Sequence, residues 1–279
     1  MNKNLISRKI AKISKPFLSK KNVYISRAVY GNEIKDFAKT LWPIKTEHQL
    51  IRIGGSKDGG YLVPEDLSGI KACFSPGVSN LSDFEEDLLK RFGIDSHLCD
   101  YSVEAPPTSF ESLSFTKKFL GATNNDRYMT LEKWANSLES EFNKNDYILQ
   151  MDIEGGEYET ILATPVKVLT RFRIMNIEIH DIESWAHPIF FKMVKSFFAN
   201  LLADFNILHN HPNNFCGLIS LGEFEFPKVM ELTFLRKDRC TPVGYCKQFP
   251  HPLDEPSVTI HKSKSYKEIN LPSVLRCTE

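Results

Sequence analysis

The sequence has no pair of cysteines at C-x2-C spacing, so it lacks the ligand pattern of a zinc module. Its six cysteines are scattered from Cys73 to Cys277. The first two sit in apolar strand patterns, where a thiol packs as a small hydrophobe. That usage reads as a reduced, cytoplasmic protein, with Cys240–Cys246 as one disulfide the spacing leaves open. No apolar run reaches the ~20 residues that a membrane span needs, and the N-terminus has no signal-peptide core. Internal repeats and low-complexity tracts are also missing. So is a full G-x-G-x-x-G loop, which argues against a pyrophosphate cradle. Acids are absent from the first 32 residues, which hold eight Lys or Arg. The remainder carries 27 basic against 35 acidic side chains, a net of −8. A folded body of that sign repels phosphate, so nucleic acid is not an expected partner.

Within the basic arm, Ile6, Ile10, Ile13 and Phe17 recur at helical spacing with lysines between them. Such a helix either packs on the domain as a solvated appendage or lies on an anionic membrane surface through residues 1–22. Pro16 kinks or ends it. A second amphipathic helix is marked by Tyr30, Ile34, Phe37 and Leu41. Residues 1–45 therefore read as a helical appendage and 46–279 as one domain.

The domain opens on a hairpin, "LIRIGGSKDGGYLVP", whose Lys57-Asp58-Gly59-Gly60 core is a tight turn. Strands are then predicted at 70–78, 94–101, 114–122, 146–154, 172–181, 206–212 and 228–238. Helices are predicted at 81–93, 130–142, 157–164 and 187–205, the first capped by Ser82 and ended by Gly93, the second capped by Thr130. The tail after 239 reads mostly as loop. Alternation of this kind builds an α/β fold, a Rossmann-like seven-strand sheet covered by helices on both faces. Two final strands without a helix between them make the sheet mostly, not wholly, parallel.

Ligands of such sheets sit beyond the carboxyl ends of the strands, where the strand order reverses. The predicted strand ends are polar: Ser75 to Ser79 around Gly77, then Asp100, Asn124 to Asp126, Asp152 with Glu154, Glu178 with His180, and His209 with His211. A single bend glycine, Gly77, suits a small anion such as a carboxylate. Asp100, 23 residues later, is placed for the two hydroxyls of a ribose.

"LQMDIEGGEYETIL", preceded by "YMTLEKW" and "CFSPGVSNLSDFEEDL", resembles the FkbM-type family of S-adenosylmethionine-dependent methyltransferases. "DIEGGE" is similar to that family's acidic box after the fourth strand. The hairpin and "HNHPNN" are similar to segments of one branch of it. The resemblance spans roughly residues 50–238. It implies a class I methyltransferase-like fold, S-adenosyl-L-methionine as cofactor, and O-methylation, with a hydroxyl of a small-molecule or glycan acceptor as the expected target. It also implies that Ser75 and Gly77 line the amino-acid end of the cofactor, that Asp126 lies near the adenine, and that Asp152 sits by the methionine moiety or the acceptor.

For a hydroxyl acceptor a general base is needed, and His180 beside Glu178 is the first candidate, with His211 a second. A divalent cation on Asp152, Glu178 and His180 is the alternative use of the same residues, although their spacing matches no fixed motif. Two other functions stay open from the residues alone: a nicotinamide-dependent oxidoreductase, and a catalytically silent module that binds a partner.

Overall fold

Seven of the apolar runs join in one sheet. Its strands are labelled here in chain order: β1 (Ala72–Pro76), β2 (Asp95–Cys99), β3 (Leu113–Thr116), β4 (Tyr147–Met151), β5 (Phe172–Ile179), β6 (Phe205–Pro212) and β7 (Met230–Arg236). In the computed structural model the residues described are 26–29, 31–78, 82–106, 112–137, 146–258 and 270–277. The expected arm helix at residues 1–22 and the end of the expected helix at 138–142 lie outside them.

The spatial order is β6-β7-β5-β4-β1-β2-β3. Neighbours from β5 to β3 are parallel, while β7 runs antiparallel to both β5 and β6. Central β4 and β5 are buried at every residue, as parallel strands covered on both faces must be. This is a class I methyltransferase-like Rossmann fold. The chain reverses its direction of travel through the sheet between β1 and β4, which opens a crevice there.

One face is covered by α1 (Gly31–Ala38), α3 (Leu131–Ser137), α4 (Glu157–Ala163), α5 (Val166–Leu169) and α6 (Pro188–Asp204); α2 (Asp83–Phe92) packs on the other face. Phe37 of α1 meets Trp185, Phe191 and Phe198 edge-on at 5.3–5.5 Å, so α1 shares the main core. The opposite face is closed by α2 and by the hairpin of Leu50–Ile53 with Tyr61–Pro64. The Leu62 carbonyl of that hairpin accepts from Asn176 Nδ2 at 3.2 Å and Thr233 Oγ1 at 2.6 Å, so the sheet grips the hairpin by polar bonds.

Helix ends follow local chemistry. Gly93 ends α2 at φ 65°, and three acids fill that helix's first turn. Thr130 caps α3 by accepting from Lys133 N at 3.2 Å. Ser82 precedes α2, but its side chain makes no cap bond to it. Two other departures from the sequence pattern stand out. The run 114–122 is not one strand: β3 stops at Thr116, and Phe119–Leu120 pairs with Tyr128–Met129 instead. Lys118 Nζ fixes this break by donating to the Asn125 and Asp126 carbonyls, each at 2.7 Å. An unforeseen hairpin, Leu218–Leu221 with Phe224–Pro227, links β6 to β7.

Candidate active site

At the switch point β1 and β4 end side by side. Asp152 N donates to the Pro76 carbonyl at 3.3 Å, and Gly77 N to the Cys99 carbonyl at 3.0 Å. Gly77 adopts φ +88°, a left-handed conformation that a side chain would strain. Its bare α-carbon lets the Asp152 backbone approach, and the two strand ends then share one cleft. A cavity of about 520 Å³ opens there, lined by Gly77, Asp100, Phe119, Tyr128 and Asp152 among others.

The lining of that cavity suits a nucleoside such as that of S-adenosylmethionine. Asp100 ends β2 and is 6% exposed, with Oδ1 accepting from Ser102 N and Oγ, both at 2.7 Å. A carboxylate fixed at that strand end can accept the hydroxyls of a ribose. The rings of Phe119 and Tyr128 stand 5.6 Å apart at the same end and offer apolar faces to a purine. Asp126 is not part of the lining: it lies exposed in the loop between these two rings, and only its carbonyl is engaged, by Lys118. Ser75 is fully buried beneath the cleft, its Oγ set between the Glu85 carboxyl and the Gln150 amide oxygen at 2.5 Å. Burial raises the Glu85 pKa despite the Ser75 bond, and a neutral Glu85 can then donate into this trio of oxygens.

On the other side of Asp152 a second cavity, about 280 Å³, runs under the hairpin, lined by Asp58, Asp83, Glu85, Asp152 and Glu154 with Tyr61 and Gln150. Gly77, Asp152 and Glu154 border both cavities. The two spaces therefore meet at the end of β4, one with an acid for a ribose and the other with a wall of carboxylates.

His180 ends β5 at this junction. Its Nδ1 is 3.0 Å from Glu157 Oε1, and its Nε2 faces Glu154 at 3.5 Å, Asp152 at 3.7 Å and Glu178 at 4.0 Å. Glu157 is fully buried at the first turn of α4, and the same oxygen accepts from Ile153 N and Gly155 N. It thus fixes both the acidic loop and the imidazole. A second chain reaches the histidine backbone: Trp185 Nε1 donates to Tyr158 Oη, which donates to the His180 carbonyl, both at 2.9 Å.

The electrostatics follow from crowding. Burial opposes charge on His180, but Glu157 and the neighbouring carboxylates outweigh it and push its pKa up to about 9. It is therefore an imidazolium at neutral pH, whereas the base expected from the sequence must be neutral there. Burial pushes Asp152 up to about 7 against the pull of His180. Burial and then the Asp152 charge raise Glu178, which is 3% exposed.

His211 stands apart from this group. Register sets it opposite Glu231, which is opposite Glu178. Its ring instead turns to Asp254, 3.5 Å away, while His209 Nε2 lies 2.9 Å from the same carboxylate. Asn213 Nδ2 donates to Glu178 at 3.0 Å, and Asn214 exchanges two bonds with Val258. The "HNHPNN" segment thus ties the C-terminal segment to the sheet edge. Sequence reading missed Glu157 as the group that orients His180, and Asp58, Glu85 and Glu231 as further buried or lining acids. The sequence signal for Glu157 is its place directly after the glycine pair Gly155-Gly156.

No family model matches the chain, and no curated protein matches it in sequence. Among solved structures, the chain is similar to one described as the crystal structure of a fibrillarin/Nop5p complex, with 13% identity, a TM-score of 0.37, and coverage of 61% of this chain and 74% of that one. It is also similar to a Methanococcus jannaschii fibrillarin, described as a pre-rRNA processing protein, with 11% identity, a TM-score of 0.35, and coverage of 68% and 83%.

Proposed function

We propose that this protein is an S-adenosylmethionine-dependent methyltransferase of FkbM type that methylates a hydroxyl of a sugar or glycan intermediate. The observation that carries the reading is the shared cleft: Gly77, Asp100 and Asp152 all border one cavity at the switch point. When bound, S-adenosylmethionine supplies a methyl group on a sulfonium. Asp100 would hold its ribose, Phe119 and Tyr128 its purine, and Asp152 the side nearest the second cavity. The acceptor belongs in that second cavity. Its wall of Asp58, Asp83, Asp152 and Glu154 accepts hydrogen bonds from hydroxyls and repels phosphate, which favours a neutral polyol over a nucleic acid. Alignment and exclusion of water are the main demands of an in-line transfer, and the hairpin roofs this space.

Among the described residues no helix is long and apolar enough to cross a membrane. The basic residues 1–22 would place the chain against an anionic cytoplasmic surface, where a lipid-linked acceptor is presented. Cosedimentation with anionic vesicles should fall on deletion of residues 1–22; equal binding by both forms removes the membrane role.

Isothermal titration with S-adenosylmethionine and with NAD tests the cofactor. Binding of the first and not the second is expected, and binding of NAD alone favours an oxidoreductase. Mass spectrometry of host surface glycans, with and without the protein, then tests the acceptor: the same methylation in both overturns a glycan target.

A further inference from the structure

We propose that Asp152, Glu154 and Nε2 of His180 form a binding site for one divalent cation of the Mn²⁺ class, at the junction of the two cavities. One ligand atom from each of these three residues lies within 4.8 Å of the others. Bonds of about 2.1 Å to one octahedral ion put its ligands roughly 3 to 4 Å apart. The separations from His180 Nε2 to Glu154 (3.5 Å) and Asp152 (3.7 Å) fall in that interval.

The acids alone would be an ordinary polar cluster. Three further observations point to a ligand. Asp152 Oδ1, the atom turned toward Nε2, is buried and has no hydrogen-bond partner. Glu178 is 3% exposed; its Oε1 lies 4.0 Å from the same Nε2, and its Oε2 is buried and unpartnered. Buried carboxylate oxygens without donors are costly unless a proton or a cation serves them. The histidine, finally, is mounted as metal-binding histidines are. Glu157 accepts from Nδ1–H, so that when a cation displaces the proton on Nε2 the lone pair freed there faces the cluster in one tautomer and one ring orientation.

The charge balance agrees. Asp152, Glu154, Glu157 and Glu178 surround a single imidazole. Arg52, whose charge also acts on this region through Glu231, spends its guanidinium on the Gly55 and Lys57 carbonyls of the hairpin turn. Glu154 is 87% exposed along its side chain, so the site opens to solvent and an ion can reach it. One nitrogen with carboxylate oxygens suits Mn²⁺ better than a thiolate-loving or all-oxygen ion. Under the methyl-transfer reading, on which this role alone rests, the ion would bind the acceptor hydroxyl and lower its pKa.

The test is titration of the full chain with MnCl₂, without S-adenosylmethionine, following free Mn²⁺ by electron paramagnetic resonance. One saturable Mn²⁺ per chain is expected. Glu154→Gln, an exposed change that leaves the core untouched, should weaken it by on the order of tenfold or more, as should His180→Asn. No saturable binding to the wild-type chain overturns the site, and so does equal affinity in the Glu154→Gln variant. A chain that binds Mn²⁺ but not S-adenosylmethionine keeps the cation site and loses the cofactor reading; the reverse result removes only the cation.

Discussion

Gly77 and Asp152 approach so closely across the ends of β1 and β4 that a β-carbon on Gly77 would lie 1.5 Å from the Asp152 carbonyl oxygen. Both partners at that point are backbone, so no flexible side chain can swing away. The left-handed φ of Gly77 adds its own penalty, about 1–3 kcal/mol for a residue with a side chain. Gly77→Ala should therefore lose at least that much stability, read from the urea midpoint, and should lose S-adenosylmethionine binding as the strand ends part. An unchanged midpoint would show that the pinch is not needed for the fold.

Asp100 offers a cleaner probe of the cofactor end. Asp100→Asn keeps an Oδ1 acceptor for Ser102 but removes the charge. Hydrogen bonds to charged groups contribute about 1.5–3 kcal/mol, so affinity for S-adenosylmethionine should fall about tenfold to a hundredfold. Isothermal titration measures this, with circular dichroism unchanged. Wild-type affinity in the variant would take Asp100 out of the site.

The hairpin that roofs the acidic cavity is gripped through the Leu62 carbonyl by Thr233 and Asn176. Thr233→Val keeps the shape but removes the shorter of the two bonds, together with the one that Asn176 Nδ2 donates to Thr233 Oγ1 at 2.9 Å. A loss of about 1–3 kcal/mol is expected for the two bonds, with faster amide exchange confined to Leu50–Ile53 and Tyr61–Pro64. Exchange that speeds up equally throughout β1 to β7 would mean that the bond supports the whole sheet rather than the hairpin.

The sequence made the sheet readable because its signals are local and redundant. The short run of β4, apolar but for Gln150, reads as a strand buried on both faces, and Gly93 and Thr130 mark helix ends by their own chemistry. Polar strand tips gathered at one rim follow from the alternation itself. The break after Thr116 could not be read, because it depends on Lys118 reaching carbonyls seven and eight residues away. The roles of the histidines were hidden for the same reason. His180 and His211 look alike as strand-end imidazoles, yet Glu157 holds one from α4, while Asp254 draws the other away from 43 residues downstream. Charge on His180 is a property of the assembled cluster, so no window of sequence contains it.

The Asp254 anchor gives a pH dependence whose sign can be worked out. His209 Nε2 and His211 Nδ1 face its two oxygens at 2.9 and 3.5 Å, and His251 N donates to Oδ2 at 2.8 Å. Of the remaining charged groups, the Glu231 carboxyl is near enough to feel Asp254. Burial alone would raise the Asp254 pKa, but His209 and His211 hold it well below the usual carboxylate range. The unfolded chain binds that proton more readily, near pH ~3.9. The anchor's contribution is therefore fully present above about pH 4 and is lost as pH falls below it. Asp254→Asn should lower the Tm at pH 7, and the gap between variant and wild type should shrink as the pH is taken from 4 to 3. Thermal unfolding over that range, with limited proteolysis of the 246–258 segment, measures both effects. Parallel Tm curves for the two proteins from pH 7 to 3 would mean that the carboxylate contributes nothing through its charge, and that the segment is held by uncharged bonds such as those of Asn214 with Val258 and of Asp58 N with the Ser257 carbonyl.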